Sequence, residues 1–152
     1  MKRNVRGFTL VEILIVVIIL GILAAIVIPQ FSNASNDARD NSARAMMKTI
    51  IGQIELYKIQ HGDVPPDLTS NWNALTKATN AAGEVEGGAA VGPFIYGPYF
   101  DAKSLPKNPY NNSSLIGNSD TKGNGWKYTR DLAKNTYTFE VLDTAGKPKV
   151  LN

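Results

Sequence analysis

Glu12 is the only charged residue in the run Phe8–Ile28, FTLVEILIVVIILGILAAIVI. A carboxylate inside a membrane helix costs ~2.5–3.5 kcal/mol at mid-bilayer on insertion scales, so a charged Glu12 seeks a cation. Few other residues are placed to do chemistry. The chain has no cysteine, which removes disulfides, zinc–thiolate sites and thiol nucleophiles together. Its single histidine, His61, excludes His-rich metal clusters and reads as a helix-end residue rather than a ligand. Asp120, in the loop 118–124, and Asp143, in the tail DTAGKPK, are weak metal candidates. Calcium wants six to eight oxygens, carboxylates among them, and a turn aspartate is more often a turn former. No nucleophile–base pair, phosphate-binding loop or pair of acids with complementary roles is present, so the expectation is a protein that is not an enzyme and holds no cofactor.

The elements that position Glu12 follow from hydropathy. Twenty-one apolar residues span about 32 Å as a helix, enough to cross a bilayer. Lys2, Arg3 and Arg6 precede the run and Asp/Asn-rich sequence follows it, which predicts a cytoplasmic N-terminus and an exported C-terminal part. The net charge is +3, but removing those three from 16 basic residues leaves 13 against 13 acidic. No basic stripe remains for nucleic acid.

Pro29 ends the apolar run and is expected to bend the helix without ending it. Beyond it Ala34, Ala38, Ala43, Met46, Met47, Ile50, Ile54 and Tyr57 mostly recur at three- and four-residue steps, with Asp40 and Arg44 as an i,i+4 pair on the polar side. His61-Gly62 and Pro65-Pro66 stop the helix. One helix from about Phe8 to His61 is therefore expected. Residues 71–78 read as a short helix, 79–92 as a flexible Gly/Ala-rich surface loop, and 93–117, with four prolines, as ordered but irregular. Strand chemistry appears in 125–129 and 136–142, joined by a hairpin loop over 130–135, and 149–151 is a candidate third strand. The fold class is α+β: a long N-terminal helix packed on a small antiparallel sheet. The division is 1–7, 8–30, 31–62 and 63–152: leader, membrane and assembly helix, amphipathic continuation, and globular region.

Gly7-Phe8-Thr9-Leu10-Val11-Glu12 followed by an apolar run resembles the class III signal of type IV pilins and type II secretion pseudopilins, over residues 2–30 including Glu12 and Pro29. That resemblance implies cleavage between Gly7 and Phe8 by a prepilin peptidase and N-methylation of Phe8. It also implies a pairing of Glu12 with a neighbour's terminal amine that sets the axial step of a homo-oligomeric filament. Gly97-Pro98-Tyr99-Phe100 and the stretch Leu105–Asn111, LPKNPYN, resemble the corresponding segment of G-type major pseudopilins. The implied function is a structural filament subunit on the bacterial inner membrane, with minor pseudopilins and an ATPase-driven assembly platform as partners. The alternative is a type IV pilus pilin for adhesion, motility or DNA uptake, which usually carries a disulfide that this chain cannot form. The tail departs from the calcium-binding tail of G-type pseudopilins, having one acid and two lysines. A plain secretory signal peptide also fits the basic start and Ser32-Asn33-Ala34, but not the buried acid or the periodicity that runs through that site.

Overall fold

The computed structural model describes residues 7–88 and 92–151. The basic leader residues Lys2, Arg3 and Arg6, and Ala89–Val91 of the Gly/Ala-rich loop, lie outside the described residues. In chain order the elements are α1 (Leu10–Gln60), α2 (Asn73–Thr76), β1 (Ile116–Gly117), β2 (Trp126–Asp131) and β3 (Thr136–Val141). The chain divides into two compact units, one ending at Ala38 and one comprising Arg39–Asn152.

The first unit is the N-terminal part of α1, helical through Pro29. Proline has no N–H to offer the carbonyl four residues back, that of Ala25, so the helix continues there with one hydrogen bond fewer.

Of the stripe expected on α1, Ala34 and Ala38 are exposed, whereas Ala43, Ile50, Ile54 and Tyr57 are buried in the second unit. Steps of seven, four and three residues put them on one face, as the sequence pattern requires. The helix stops where glycine permits: Gly62 has φ +65°, and the Asp63 N–H donates to the Lys58 carbonyl at 2.8 Å across the last turn. The core also contains Leu68, Leu75, Trp126 and Tyr128, all with 0% exposure. Trp126 stacks on Phe139 with centroids 5.4 Å apart. Each buried aromatic finds an acceptor for its polar end: Trp126 Nε1 donates to the Pro106 carbonyl at 3.0 Å, and Tyr128 Oη to that of Pro66 at 2.8 Å.

The sheet differs from expectation in two ways. It is mixed: β2 and β3 pair antiparallel, with Trp126 opposite Val141, but β1 runs parallel to β2, with Ile116 opposite Trp126. The third strand is thus Ile116–Gly117 and not 149–151. Among the described residues the tail makes one bridge, Leu142 to Pro148, where proline has no N–H to extend a ladder. Gly146 turns the chain at φ +79°, and a Cβ there would meet the backbone of Thr121 and Lys122 at about 2.5 Å. The Gly/Ala-rich loop is also more built than its composition suggests. Thr79 is fully buried and bridges both Val85 and Tyr96, and the Asn80 side chain accepts from the N–H groups of Ala82 and Glu84.

Burial leaves the core tyrosines reluctant to ionise. Desolvation pushes the Tyr57 hydroxyl up to about 12, with the neighbouring Tyr99 adding to it, and desolvation likewise raises Tyr128 and Tyr137. In an unfolded chain tyrosine titrates near ~10. Their contribution to stability is therefore intact below that value and is lost as pH rises from about 10 towards 12. The urea midpoint should hold between neutrality and pH ~9 and fall steeply beyond pH ~10. A midpoint unchanged at pH ~11 would contradict the burial of these hydroxyls.

Candidate functional site

At the N-terminal end of α1, Thr9 and Glu12 bond reciprocally. The Thr9 N–H and Oγ1 each donate to Glu12 Oε2 at 2.8 Å, and the Glu12 N–H donates to Thr9 Oγ1 at 3.2 Å. This is a capping box: Thr9 closes the first turn and Glu12, three residues on, reaches back. Both donations fall on one carboxylate oxygen, Oε2, and among the described residues no hydrogen bond reaches Oε1. The charge-seeking reading of Glu12 missed this first partner, although Thr-x-x-Glu ahead of an apolar run is a sequence signal for it. Gly7 and Phe8 precede the helix and are exposed, Phe8 by 81%. A Cβ on Gly7 would meet nothing within 4 Å, so the fold of this chain does not require glycine there.

Beyond the cap, every large apolar side chain from Leu10 to Ile28 is at least 41% exposed. A helix apolar on all sides is stable only when lipid or other protein surrounds it. Gly21 within it would accommodate a side chain without contact, yet glycine in a helix interior costs roughly 1 kcal/mol relative to alanine. The chain itself places no steric demand for glycine at that position.

In the second unit the other candidates have structural partners. His61 is 6% exposed. Its Nδ1 donates to the Tyr57 carbonyl at 2.7 Å, its Nε2 meets Thr79 Oγ1 at 3.0 Å, and its ring stacks on Tyr57. Asp120 pairs with Lys127 Nζ at 2.8 Å, and the same ammonium meets Glu140 at 3.3 Å. Asp143 Oδ1 accepts from the N–H groups of Ala145 and Lys147, the work of a turn former. Among the described residues no three His, Cys, Asp or Glu side chains gather in a group suited to a metal. The segment Leu105–Asn111 contains a residue that the sequence reading did not single out. Asn108 is fully buried, and its Nδ2 donates to the carbonyls of Gly125 and Leu142, each at 2.6 Å. Its Oδ1 accepts from the Tyr110 N–H at 2.8 Å, so one amide ties three segments together.

Residues 2–28 match the family model described as the prokaryotic N-terminal methylation motif. With the capped apolar helix and the helix-on-sheet unit, this defines the class: the chain belongs to the type IV pilin-like family. More particularly, it groups with type II secretion system core protein G. The protein of that name from Vibrio cholerae serotype O1 is 30% identical over 121 residues, covering 80% of this chain and 76% of that one. The one from Pseudomonas aeruginosa is 41% identical over 64 residues, 42% of this chain, and the match spans only 45% of that protein's length. The type IV wide pilus major component PilA4 of Thermus thermophilus is 40% identical over 73 residues, 48% of this chain and 53% of that one. No solved structure matches the chain significantly. The family consists of structural subunits.

Proposed function

We propose that the chain is a pseudopilin, a structural filament subunit of a type II protein secretion system. The observation that carries this is the helix Leu10–Ile28, whose apolar side chains are exposed on every side and must be covered by lipid before assembly and by other copies after it. Residues 1–7 are the leader, cut by a prepilin peptidase between Gly7 and Phe8, and the new Phe8 amine is methylated. Residues 8–30 anchor the chain in the inner membrane with the N-terminus cytoplasmic and residues 63–152 periplasmic. The open surroundings of Gly7 support a peptidase as the reason for glycine there, since the fold supplies none.

In this reading Glu12 Oε1 accepts the protonated terminal amine of a neighbouring copy. Pairing the two charges removes two desolvation penalties together, and any other axial register leaves both unpaired. Gly21, Ala24 and Ala25 let anchor helices approach closely. The assembly platform, its ATPase and minor pseudopilins are the partners that such a filament requires. The domain itself works without a metal, Asp143 serving its own turn and Asp120 serving Lys127.

The similarity to the Thermus wide-pilus component supports a second reading, a pilin of a surface pilus. Deletion of the gene in its native host separates the two. Protein secretion should stop while surface pili and motility persist; continued secretion with loss of surface filaments would establish the pilin reading instead.

A further inference from the structure

The second unit has an open groove of about 790 Å³ between α1 and the segment Ala102–Lys107. Met46 and Leu105 contribute its apolar surface, Ala45 and Thr49 its helix wall, and Lys103 and Lys107 are both lining residues. Both lysines are exposed, and neither ammonium has a partner among the described residues. The same unit carries a surface of opposite charge. Glu84 and Glu86 are exposed on either side of Val85, which packs against the core, and the chain turns directly after them, the Gly88 N–H donating to the Val85 carbonyl at 3.1 Å. This acidic knob is held in shape before any partner arrives. Thr79 bridges Val85, the Glu86 N–H donates to the Ala78 carbonyl at 2.8 Å, and Asn80 Nδ2 holds Glu84 Oε2 at 2.7 Å.

A chain cannot place its own knob in its own groove. The knob's turn is anchored near Tyr57, whose Oη donates to the Gly83 carbonyl at 3.4 Å. The groove's helix wall runs from Ser42 to Thr49, so the nearer levels differ by eight residues of α1 and the further by fifteen, about 12–23 Å at the helical rise. Displacing a second copy along the helix axis by that amount brings its knob level with the groove of the first. Two different patches, one on each copy, make a heterologous contact, and such contacts propagate into open helical polymers.

We infer that the groove between α1 and Ala102–Lys107 receives the acidic knob Glu84–Glu86 of a second copy of this chain, with Lys103 and Lys107 facing the two carboxylates. The inference rests on the filament reading and names a contact within it that is separate from Glu12. An exposed ion pair alone contributes little, so the contact sets register and partner choice more than overall affinity, and its rigid knob limits the ordering cost.

The test uses the full-length chain in membranes. The sequence has no cysteine, so Glu84→Cys and Ser104→Cys introduce the only thiols and leave Glu86, Lys103 and Lys107 in place. Under mild oxidation the doubly substituted chain should give a ladder of dimer, trimer and higher species. Each single variant should remain monomeric, and a mixture of the two should stop at dimer. Adding Lys103→Glu and Lys107→Glu should cut the ladder at least fivefold, and adding Glu86→Lys to those should restore most of it. Absence of a ladder, a ladder indifferent to the charge reversals, or dimers from one single variant alone would overturn the inference. Electron microscopy of sheared cells expressing the unsubstituted chain reads the filament proposal separately. If filaments are present without a ladder, only the docking contact falls. If no filaments form, the filament proposal falls, while the ladder still decides whether this contact exists.

Discussion

Replacing Glu12 with valine is expected to leave the subunit inserted and cleaved while reducing filament assembly to background. The substitution removes a charge from an apolar run, so insertion becomes easier by the ~2.5–3.5 kcal/mol that the charge costs at mid-bilayer, and by less near an end. It also dismantles the capping box with Thr9, a loss of about 1 kcal/mol of helix stability. These effects oppose each other and neither removes the anchor. What disappears entirely is the charge proposed to pair with the neighbouring terminal amine. Glu12→Gln separates the two roles, since glutamine also reaches back to a cap but carries no charge. Pelleting of sheared filaments should give the same failure for both variants. Normal filaments from Glu12→Gln would mean that capping, and not charge pairing, is what Glu12 supplies.

The largest stability effect is expected at Asn108. In Asn108→Ala the Leu142 carbonyl and the Tyr110 N–H lose the partner that the buried amide supplies, while the Gly125 carbonyl keeps only the Leu142 N–H at 3.0 Å. Each stranded group costs roughly 1–3 kcal/mol, so the variant should lose on the order of 3–5 kcal/mol, a large part of the stability of a small domain. The backbone is closely packed around this amide: a Cβ on Gly125 would strike the Ser113 carbonyl oxygen. Urea denaturation followed through tryptophan fluorescence reads this directly. A loss below about 1 kcal/mol would show that water or a shifted backbone replaces the amide.

Both residues illustrate what was legible before the structure. The helix and its buried face were readable because Ala43, Ile50, Ile54 and Tyr57 are local in sequence and obey one period. The β2–β3 hairpin was readable for the same reason, and only its loop was too long: β2 continues to Asp131, leaving Leu132–Asn135 to turn. Strand β1 was not readable. Two residues carry no periodicity, and their parallel pairing with Trp126 and Lys127 is a tertiary fact. The tail looked like a strand by composition, but among the described residues it makes one bridge, after the Gly146 turn and at Pro148, which has no N–H to extend a ladder. Thr79 and Asn108 are polar types that composition assigns to the surface. Their burial depends on acceptors and donors brought from distant segments, which no local window contains. Glu12 was legible as an anomaly, whereas its bond to Thr9 required weighing a capping signal against the cost of charge in lipid.

The central claim is that this chain is processed at Gly7–Phe8 and enters a filament by its new N-terminus. Mass spectrometry of the mature protein isolated from membranes tests it most directly. The expected result is a mature chain that lacks residues 1–7 and begins with N-methyl-Phe8. A mature protein that begins at Ser35, or one that retains residues 1–7, would contradict it.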